Sequence, residues 1–266
     1  MQDDASASKS TKTMRVLAQI FGLIVSLAPI AYFVGLIKSQ AYYTAIGSPW
    51  ASDLLTPLQI ASSSWGLMFA LVCLSAISIW AILERLINHS SAASWAAVTC
   101  VTATLLMSVP FFSNYQLSPL SGASVHLMLP ALLMLISAGI SVGEIFILIQ
   151  KNSFTFSGKA LFIAISIAII GLFFAPQKWG EYKGRLVIED QERLPKVSLN
   201  NQFSKGEWRL VGAVGDSMLL ISAASQPKVD PTFKLTSPSD IDHISSIYNP
   251  LSRYADNKGI TDTASP

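Results

Sequence analysis

Of the 266 residues in this chain, 51% are hydrophobic and 13% are charged, and the formal net charge is +2. An ordinary soluble protein has about 25% charged residues, so this composition excludes a wholly soluble chain. No basic run with interleaved aromatic residues suggests binding to nucleic acid, and we expect no nucleic-acid partner.

The charged residues divide the chain into two parts. From Arg15 to Pro176 there are five Lys or Arg residues and three acids, whereas the ninety residues after Pro176 carry eleven of each. The core of a soluble protein cannot bury an apolar segment as long as residues 15–176, whereas a lipid bilayer can accommodate it. We therefore predict an α-helical integral membrane bundle over residues 14–177, with the lipid bilayer as its first partner. A small, mainly β (α+β) soluble domain follows it.

The N-terminus combines a polar segment with an apolar one. Residues 1–13 are polar, and we expect them to form a disordered cytoplasmic N-terminus. The apolar segment that follows has the character of a signal-peptide core, but it continues to Ile37. Pro29 also stands directly after the best small-residue cleavage site, Ser26-Leu27-Ala28. We interpret this segment as a retained first transmembrane helix.

Five segments are long and apolar enough to span a hydrocarbon core of about 30 Å, which takes about 20 helical residues. The third is the weakest, because its first half is rich in Ala and Thr. The predicted spans are residues 14–37, 64–87, 93–112, 125–150 and 159–175.

The short loops carry their basic residues on one side of the membrane. The opposite side holds only Lys38, so the N-terminus is predicted in the cytoplasm and the C-terminal domain outside. Compact loops and the lack of a glycosylation sequon on the outer face favour a bacterial inner (plasma) membrane. Basic residues also follow the fifth span, but long domains translocate largely regardless of charge. The cytoplasmic basic residues are Lys9, Lys12, Arg15, Arg85, Lys151 and Lys159.

The segments predicted to lie outside the membrane differ from the spans in composition and in the spacing of their apolar residues. Tyr42, Tyr43 and Trp50 in the 38–63 loop predict a short interfacial helix or turn that anchors at the headgroup level. Beyond residue 178 we expect a small extracytoplasmic β-rich domain over 178–248 and a flexible tail over 249–266. Its expected elements are strands at 185–189 and 196–200, a hairpin of 207–212 and 217–223 around Gly215-Asp216, a strand at 233–237, and a short helix from Pro238 through Ile247.

Glu144 is the only ionisable residue well inside a predicted span. A carboxylate in hydrocarbon is costly and is a functional hypothesis by default, here a proton or cation site. The alternative is an interfacial ion pair with Arg85 or Lys151. Lys151 lies about 10 Å along the same helix, which favours this alternative.

Gly139, Ser141 and Gly143 match two short patterns at once. As G-x-x-x-G, they predict a close helix contact. As G-x-S-x-G, they resemble the nucleophile elbow of serine hydrolases, but that elbow needs a strand-to-helix turn and a nearby histidine. Ser141 lies inside a continuous helix, and His126 is about 22 Å away along it. Helix packing is therefore the preferred interpretation.

The rest of the sequence gives no assembled chemical site. The three histidines are scattered without metal-binding spacing, so we expect no metal and no cofactor. In the outer domain, Trp208 is expected to be a core anchor of the sheet rather than a ligand-stacking residue. The acids Glu189, Asp190 and Glu192 suggest a solvated face, with binding of a hard cation as the alternative.

These features favour a non-enzymatic accessory, scaffold or interaction protein, which engages a partner or a second copy through its helix bundle or outer β-domain. The first alternative is a transporter or channel subunit that uses Glu144 as an intramembrane proton or cation site. An intramembrane enzyme is the third hypothesis, for which the sequence offers no catalytic constellation.

Overall fold

The computed structural model describes residues 27–84, 86–112, 123–150, 158–199, 207–222 and 231–245. Over these residues the protein is mostly helical, with a small antiparallel sheet near the C-terminus. The chain divides into two compact units, Met1–Leu186 and Val187–Pro266.

The first unit consists of helices. A 3₁₀ helix, Pro49–Leu54, lies between the first two α-helices. The α-helices are α1 (27–45), α2 (Pro57–Ser63), α3 (Trp65–Leu83), α4 (His89–Phe112), α5 (Ala123–Gln150) and α6 (Gly158–Glu189).

Four of the described helices are long and apolar enough to cross a membrane. These segments are Trp65–Leu83, Ser91–Ser108, His126–Ile149 and Leu161–Glu189. They correspond to the last four predicted spans. The first predicted span, 14–37, lies partly outside the described residues, and its described part is the beginning of α1. The structure therefore gives four candidate spans where the sequence predicts five.

Residues 38–63, the loop predicted between the first two spans, contain the end of α1, the 3₁₀ helix and α2. α1 continues through residue 45, eight residues beyond the predicted end of the first span. α2 is short, and a capping box starts it. The Thr56 hydroxyl accepts a hydrogen bond from the Gln59 amide, while the Gln59 side chain accepts one from the Thr56 amide. Reciprocal caps of this kind satisfy free amides at a helix start.

α6 is 32 residues long and contains Pro176. The predicted strand at 185–189 is wrong, because these residues form the last turns of α6. Ion pairs at helical spacing support this extension: Glu181 accepts from Lys178 at 2.8 Å and from Arg185 at 2.7 Å. The predicted domain boundary at residue 178 lies inside this helix.

α5 is the central helix of the bundle. It packs along both α3 and α4, and Gly171 of α6 lies against its Met134 and Ala138. Met134 and Ala138 are almost completely buried, as is Leu135 on the same helix. α5 therefore has neighbours on three sides and carries the interior of the bundle.

The second unit contains a five-stranded antiparallel sheet in the order β4-β3-β2-β1-β5. The interior strand β3, between β4 and β2, carries its core, with Leu219, Leu220 and Ile221 fully buried. The strands are β1 (Lys196–Leu199), β2 (Trp208–Val214), β3 (Ser217–Ser222), β4 (Phe233–Thr236) and β5 (Ile241–Ser245).

The predicted hairpin is confirmed. β2 and β3 pair from Trp208 with Ser222 to Val214 with Ser217, and Gly215 takes a φ of 60° in the turn between them, a conformation that glycine adopts without strain. The predicted helix from Pro238 through Ile247 is wrong. Only Pro238–Asp240 forms a 3₁₀ turn, and the next residues form β5 on the edge of β1. Pairing with β1 satisfies the backbone of this segment, so the tertiary contact overrides the local cap signal.

Candidate functional site

Three polar residues form a buried row on one face of α5. Ser137, Ser141 and Glu144 are spaced i, i+4 and i+7, so their side chains lie on the same side of the helix. Both serines are fully buried, and Glu144 is 3% exposed. Glu144 is the one buried acidic residue among the described residues of the helical unit.

The row begins at the contact between α5 and α4. The Ser137 hydroxyl donates to the Ala96 carbonyl oxygen at 2.8 Å. The buried face of α4 consists of small residues, which let the two helix backbones approach closely. These residues are Ala92, Ala96, Cys100 and Ala103.

The end of α5 that carries Glu144 lies beside the start of α4. Ile147, one turn beyond Glu144, packs in a cluster with Ala92 of α4 and Ile82 at the end of α3. Glu144 is seven residues beyond Ser137, about 10 Å along the helix axis. The carboxylate is therefore placed toward the end of the bundle where α3 ends and α4 begins.

The two glycines of the sequence motif lie at the contact between α5 and α3. A Cβ atom at Gly139 would come within 2.5 Å of the Leu74 Cβ. At Gly143 it would lie 2.9 Å from the Ser78 Cβ. Ser78 reaches across the same contact and donates to the Ile140 carbonyl oxygen at 3.4 Å. Ser141 lies between the two glycines in sequence, within an uninterrupted helix.

Glu144 and Ser141 both carry buried atoms without a partner. Among the described residues, no hydrogen-bond partner is found for Glu144 Oε2 or for Ser141 Oγ. The side chains of Arg85 and Lys151, the two predicted partners of Glu144, lie outside the described residues, so their ion pair stays a prediction. Leaving a buried carboxylate oxygen without a partner costs free energy.

Trp208 belongs to the sheet of the second unit. It is half-buried at the start of β2, opposite Val197 and Ser222. The Lys234 ammonium lies 5.8 Å from the centre of its ring, within the distance of a cation–π contact.

The charged residues near Trp208 are occupied by structural contacts. Arg209 is buried and donates to the carbonyl oxygens of Gln191 at 3.1 Å and Leu194 at 3.4 Å. A hydrogen bond from Lys196 holds the pKa of Glu207 below its usual range, and Arg209 lowers this pKa further. Across the described residues, no group of three or more His, Cys, Asp or Glu side chains is placed to hold a metal ion.

Sequence reasoning missed two features that the structure brings out. The first is Ser137, which completes the polar row. Its spacing of four residues from Ser141 and seven from Glu144 is the sequence signal that identifies it. The second is another G-x-x-x-G pair, Gly180 and Gly184, where α6 packs against α1. The sequence analysis missed this pair because it lies in a segment interpreted as part of the soluble domain.

Comparisons of this chain with protein-family models, curated proteins and solved structures find no match.

Proposed function

We propose that this protein is a non-enzymatic accessory or scaffold subunit of a membrane assembly, and that it binds a partner protein through the outward face of α4. The supporting observation is the combination of low hydropathy and low burial in this helix. Ser91–Ser108 is the least apolar of the four candidate spans, and only 22% of it is buried, compared with 50% for α5.

The outward face of α4 has the composition of a helix–helix contact. Ser94, Val98 and Thr102 follow one another at intervals of four residues, and all three are exposed. Small and hydroxyl-bearing side chains at this spacing allow another transmembrane helix to pack closely. Leu105 extends the same face and is 64% exposed. A partner helix packed on this stripe makes contacts with its hydroxyl-bearing side chains that lipid chains do not make.

The outward face of α3 is different. None of its exposed side chains carries a hydroxyl group, as expected of a surface that contacts lipid. Apart from the small residues Gly66 and Ala76, they are large and apolar, and they include Phe69, Ile77 and Trp80. This contrast within one bundle singles out α4 as the helix that benefits from a protein partner.

A photo-crosslinking experiment tests the partner-binding surface. Benzoylphenylalanine is introduced at Val98 on α4 or, as a matched control, at Ile77 on α3, and native membranes are irradiated. We expect a discrete protein adduct at Val98, identified by mass spectrometry, and only lipid products at Ile77. An adduct of twice the chain mass identifies the partner as a second copy. Absence of any protein adduct at Val98 contradicts the proposal.

We also place the bundle in a bacterial inner membrane, with the N-terminus in the cytoplasm and the C-terminal sheet outside. This proposal is supported by the Lys and Arg residues of the short loops, which favour the cytoplasmic side. The appended sheet then offers a second surface to partners in the extracytoplasmic space.

Glu144 favours a second candidate function, a proton or cation site of a transporter or channel subunit. The supporting observation is a carboxylate that is 3% exposed, with Oε2 unpartnered among the described residues and the unpartnered Ser141 hydroxyl one turn away on the same face. Ionisable groups in this situation bind protons or ions in membrane pumps and transporters. The test is proton flux through liposomes that contain the wild-type protein or Glu144→Gln.

A further inference from the structure

A groove with a volume of about 670 Å³ runs between α1 and α6. This volume lies in the usual range of ligand sites, about 300–1,000 Å³. Its lining includes Ile37, Gln40 and Thr44 from α1 and Phe173, Gln177 and Arg185 from α6.

The groove lies beside a close contact of the two helices. A Cβ atom at Gly180 would come within 2.2 Å of the Lys38 carbonyl oxygen. At Gly184 it would lie 2.6 Å from the Tyr42 carbonyl oxygen. These two glycines fix the spacing of α1 and α6, and a fixed spacing gives the groove a preformed shape.

The lining changes from apolar to charged along the helix axes. Ile37 and Phe173 lie within the predicted hydrocarbon region, where spans end at residues 37 and 175. Gln177 follows one turn later, and Arg185 ends the groove about 18 Å from Phe173 along α6. The groove therefore follows the direction of a lipid molecule, from acyl chain to headgroup.

The polar end of the groove offers both signs of charge and a buried acceptor. Glu181 accepts hydrogen bonds from Lys178 and from the Nη2 atom of Arg185. The Arg185 side chain is 49% exposed, so its guanidinium has donors available for a ligand. Gln177 Oε1 is buried and has no hydrogen-bond partner among the described residues. The accessible acceptor at this end of the groove is the Glu181 carboxylate, whose side chain is 24% exposed.

We propose that this groove binds a phospholipid whose headgroup carries both a phosphate and a primary ammonium, as phosphatidylethanolamine does. Arg185 contacts the phosphate, because guanidinium–phosphate hydrogen bonds are charge-assisted. The ammonium donates to the Glu181 carboxylate. The acyl chains lie along Ile37 and Phe173.

The charges of the lining favour this headgroup over two common alternatives. Arg185 is the one basic residue in the groove lining, where it stands with Glu181, and Lys178 is held by the same acid, whereas sites for anionic lipids collect several basic residues. A choline headgroup has no N–H to donate to the Glu181 carboxylate, and quaternary ammonium groups prefer aromatic cages.

Native mass spectrometry of the purified protein tests the inference. The protein is titrated with phosphatidylethanolamine, phosphatidylcholine and phosphatidylglycerol of matched acyl chains. We expect the wild type to retain phosphatidylethanolamine preferentially. Arg185→Gln and Glu181→Gln are each expected to lower its affinity about tenfold, the effect of losing one strong hydrogen bond. Thr44→Trp, which fills the groove from an exposed position, is expected to do the same.

Lys183→Gln is the matched control. Lys183 lies on the same helix, but its ammonium faces the rings of Trp179 and Tyr182, 5.8 Å from each, and it does not line the groove. Its loss is expected to leave lipid binding unchanged. Equal retention of the three lipids, preference for phosphatidylglycerol, or unchanged binding in both Thr44→Trp and Arg185→Gln overturns the inference. The assay measures lipid alone, so its outcome is separate from partner binding at α4.

Discussion

At the scale of single residues, Glu144 differs from the other buried or half-buried charges of this protein. Arg209 is buried, and its guanidinium donates to two backbone carbonyl oxygens. Glu181 is held between Lys178 and Arg185. Glu144 is buried more deeply than Arg209, yet the described residues give its Oε2 atom no partner. A group retained in this state is a candidate for binding a proton or an ion.

Glu144→Gln separates the two interpretations of this residue. If the carboxylate carries protons, the variant reduces proton flux to the level of protein-free liposomes, measured with an enclosed pH-sensitive dye under an imposed membrane potential. Its thermal unfolding in detergent stays near that of the wild type, because no pair is broken. Glu84→Gln is the control, since Glu84 is exposed at the end of α3.

An ion pair of Glu144 with Arg85 or Lys151 gives the opposite pattern. Removing one partner of an ion pair costs from about 1 kcal/mol for an exposed pair to about 3–5 kcal/mol for a buried one, so Glu144→Gln would then unfold at a lower temperature. Wild-type flux equal to that of protein-free liposomes, together with this destabilisation, would rule out the proton-site hypothesis.

The sequence singles out Glu144 because charge is rare inside an apolar segment, and it identifies Gly139 and Gly143 through their spacing. It does not identify what surrounds them. The hydrogen bond from Ser137 to Ala96 joins residues 41 positions apart, and such a contact exists only after α4 and α5 pack. Ser141 Oγ likewise has no hydrogen-bond partner among the described residues, and this follows from how the helices pack.

At the scale of helices, glycine determines how closely neighbours approach. Gly143 leaves no room for a Cβ beside Ser78, whereas a Cβ at Gly66 would meet nothing within 4 Å. The two positions form a matched pair for steric contact: the same substitution meets Ser78 at Gly143 in the interior of α5 and meets nothing at Gly66, the second residue of α3.

We expect Gly143→Ala to lower the free energy of unfolding by about 1–2 kcal/mol, since overpacking costs exceed the gain in helix propensity. Gly66→Ala is expected to be neutral or stabilising by up to about 1 kcal/mol. Equilibrium unfolding in mixed micelles measures both. Equal effects at the two positions would show that the α3–α5 contact does not depend on the missing side chain.

The two wrong predictions of secondary structure share one physical cause. Residues 185–189 cluster apolar side chains at strand length, but they continue α6, whose Gly180 and Gly184 pack on α1. Residues 241–245 follow a plausible helix cap, but they pair with β1. In both segments a contact with a distant element decides between two local structures of similar propensity.

At the scale of the whole molecule, the orientation of the bundle is open to a direct test. In a background with Cys73 and Cys100 replaced by serine, Asp216→Cys places a thiol in the exposed β2–β3 turn. We expect a membrane-impermeant maleimide to label it in intact spheroplasts, because the positive-inside pattern places the C-terminal unit outside. Ser8→Cys at the N-terminus is expected to react only after permeabilisation. The reverse labelling pattern would invert the proposed topology.

The sequence by itself determined the class of this protein, the positions of the four candidate spans among the described residues, and the hairpin at Gly215. These features depend on local quantities: the length of an apolar run, the spacing of charges and the conformational preference of glycine. Tertiary structure decided the length of α6, the fifth strand, the buried surroundings of Glu144 and the groove between α1 and α6. These features depend on which residues, distant in sequence, come into contact in the folded chain. Packing contacts, backbone pairing and desolvation arise only at such contacts.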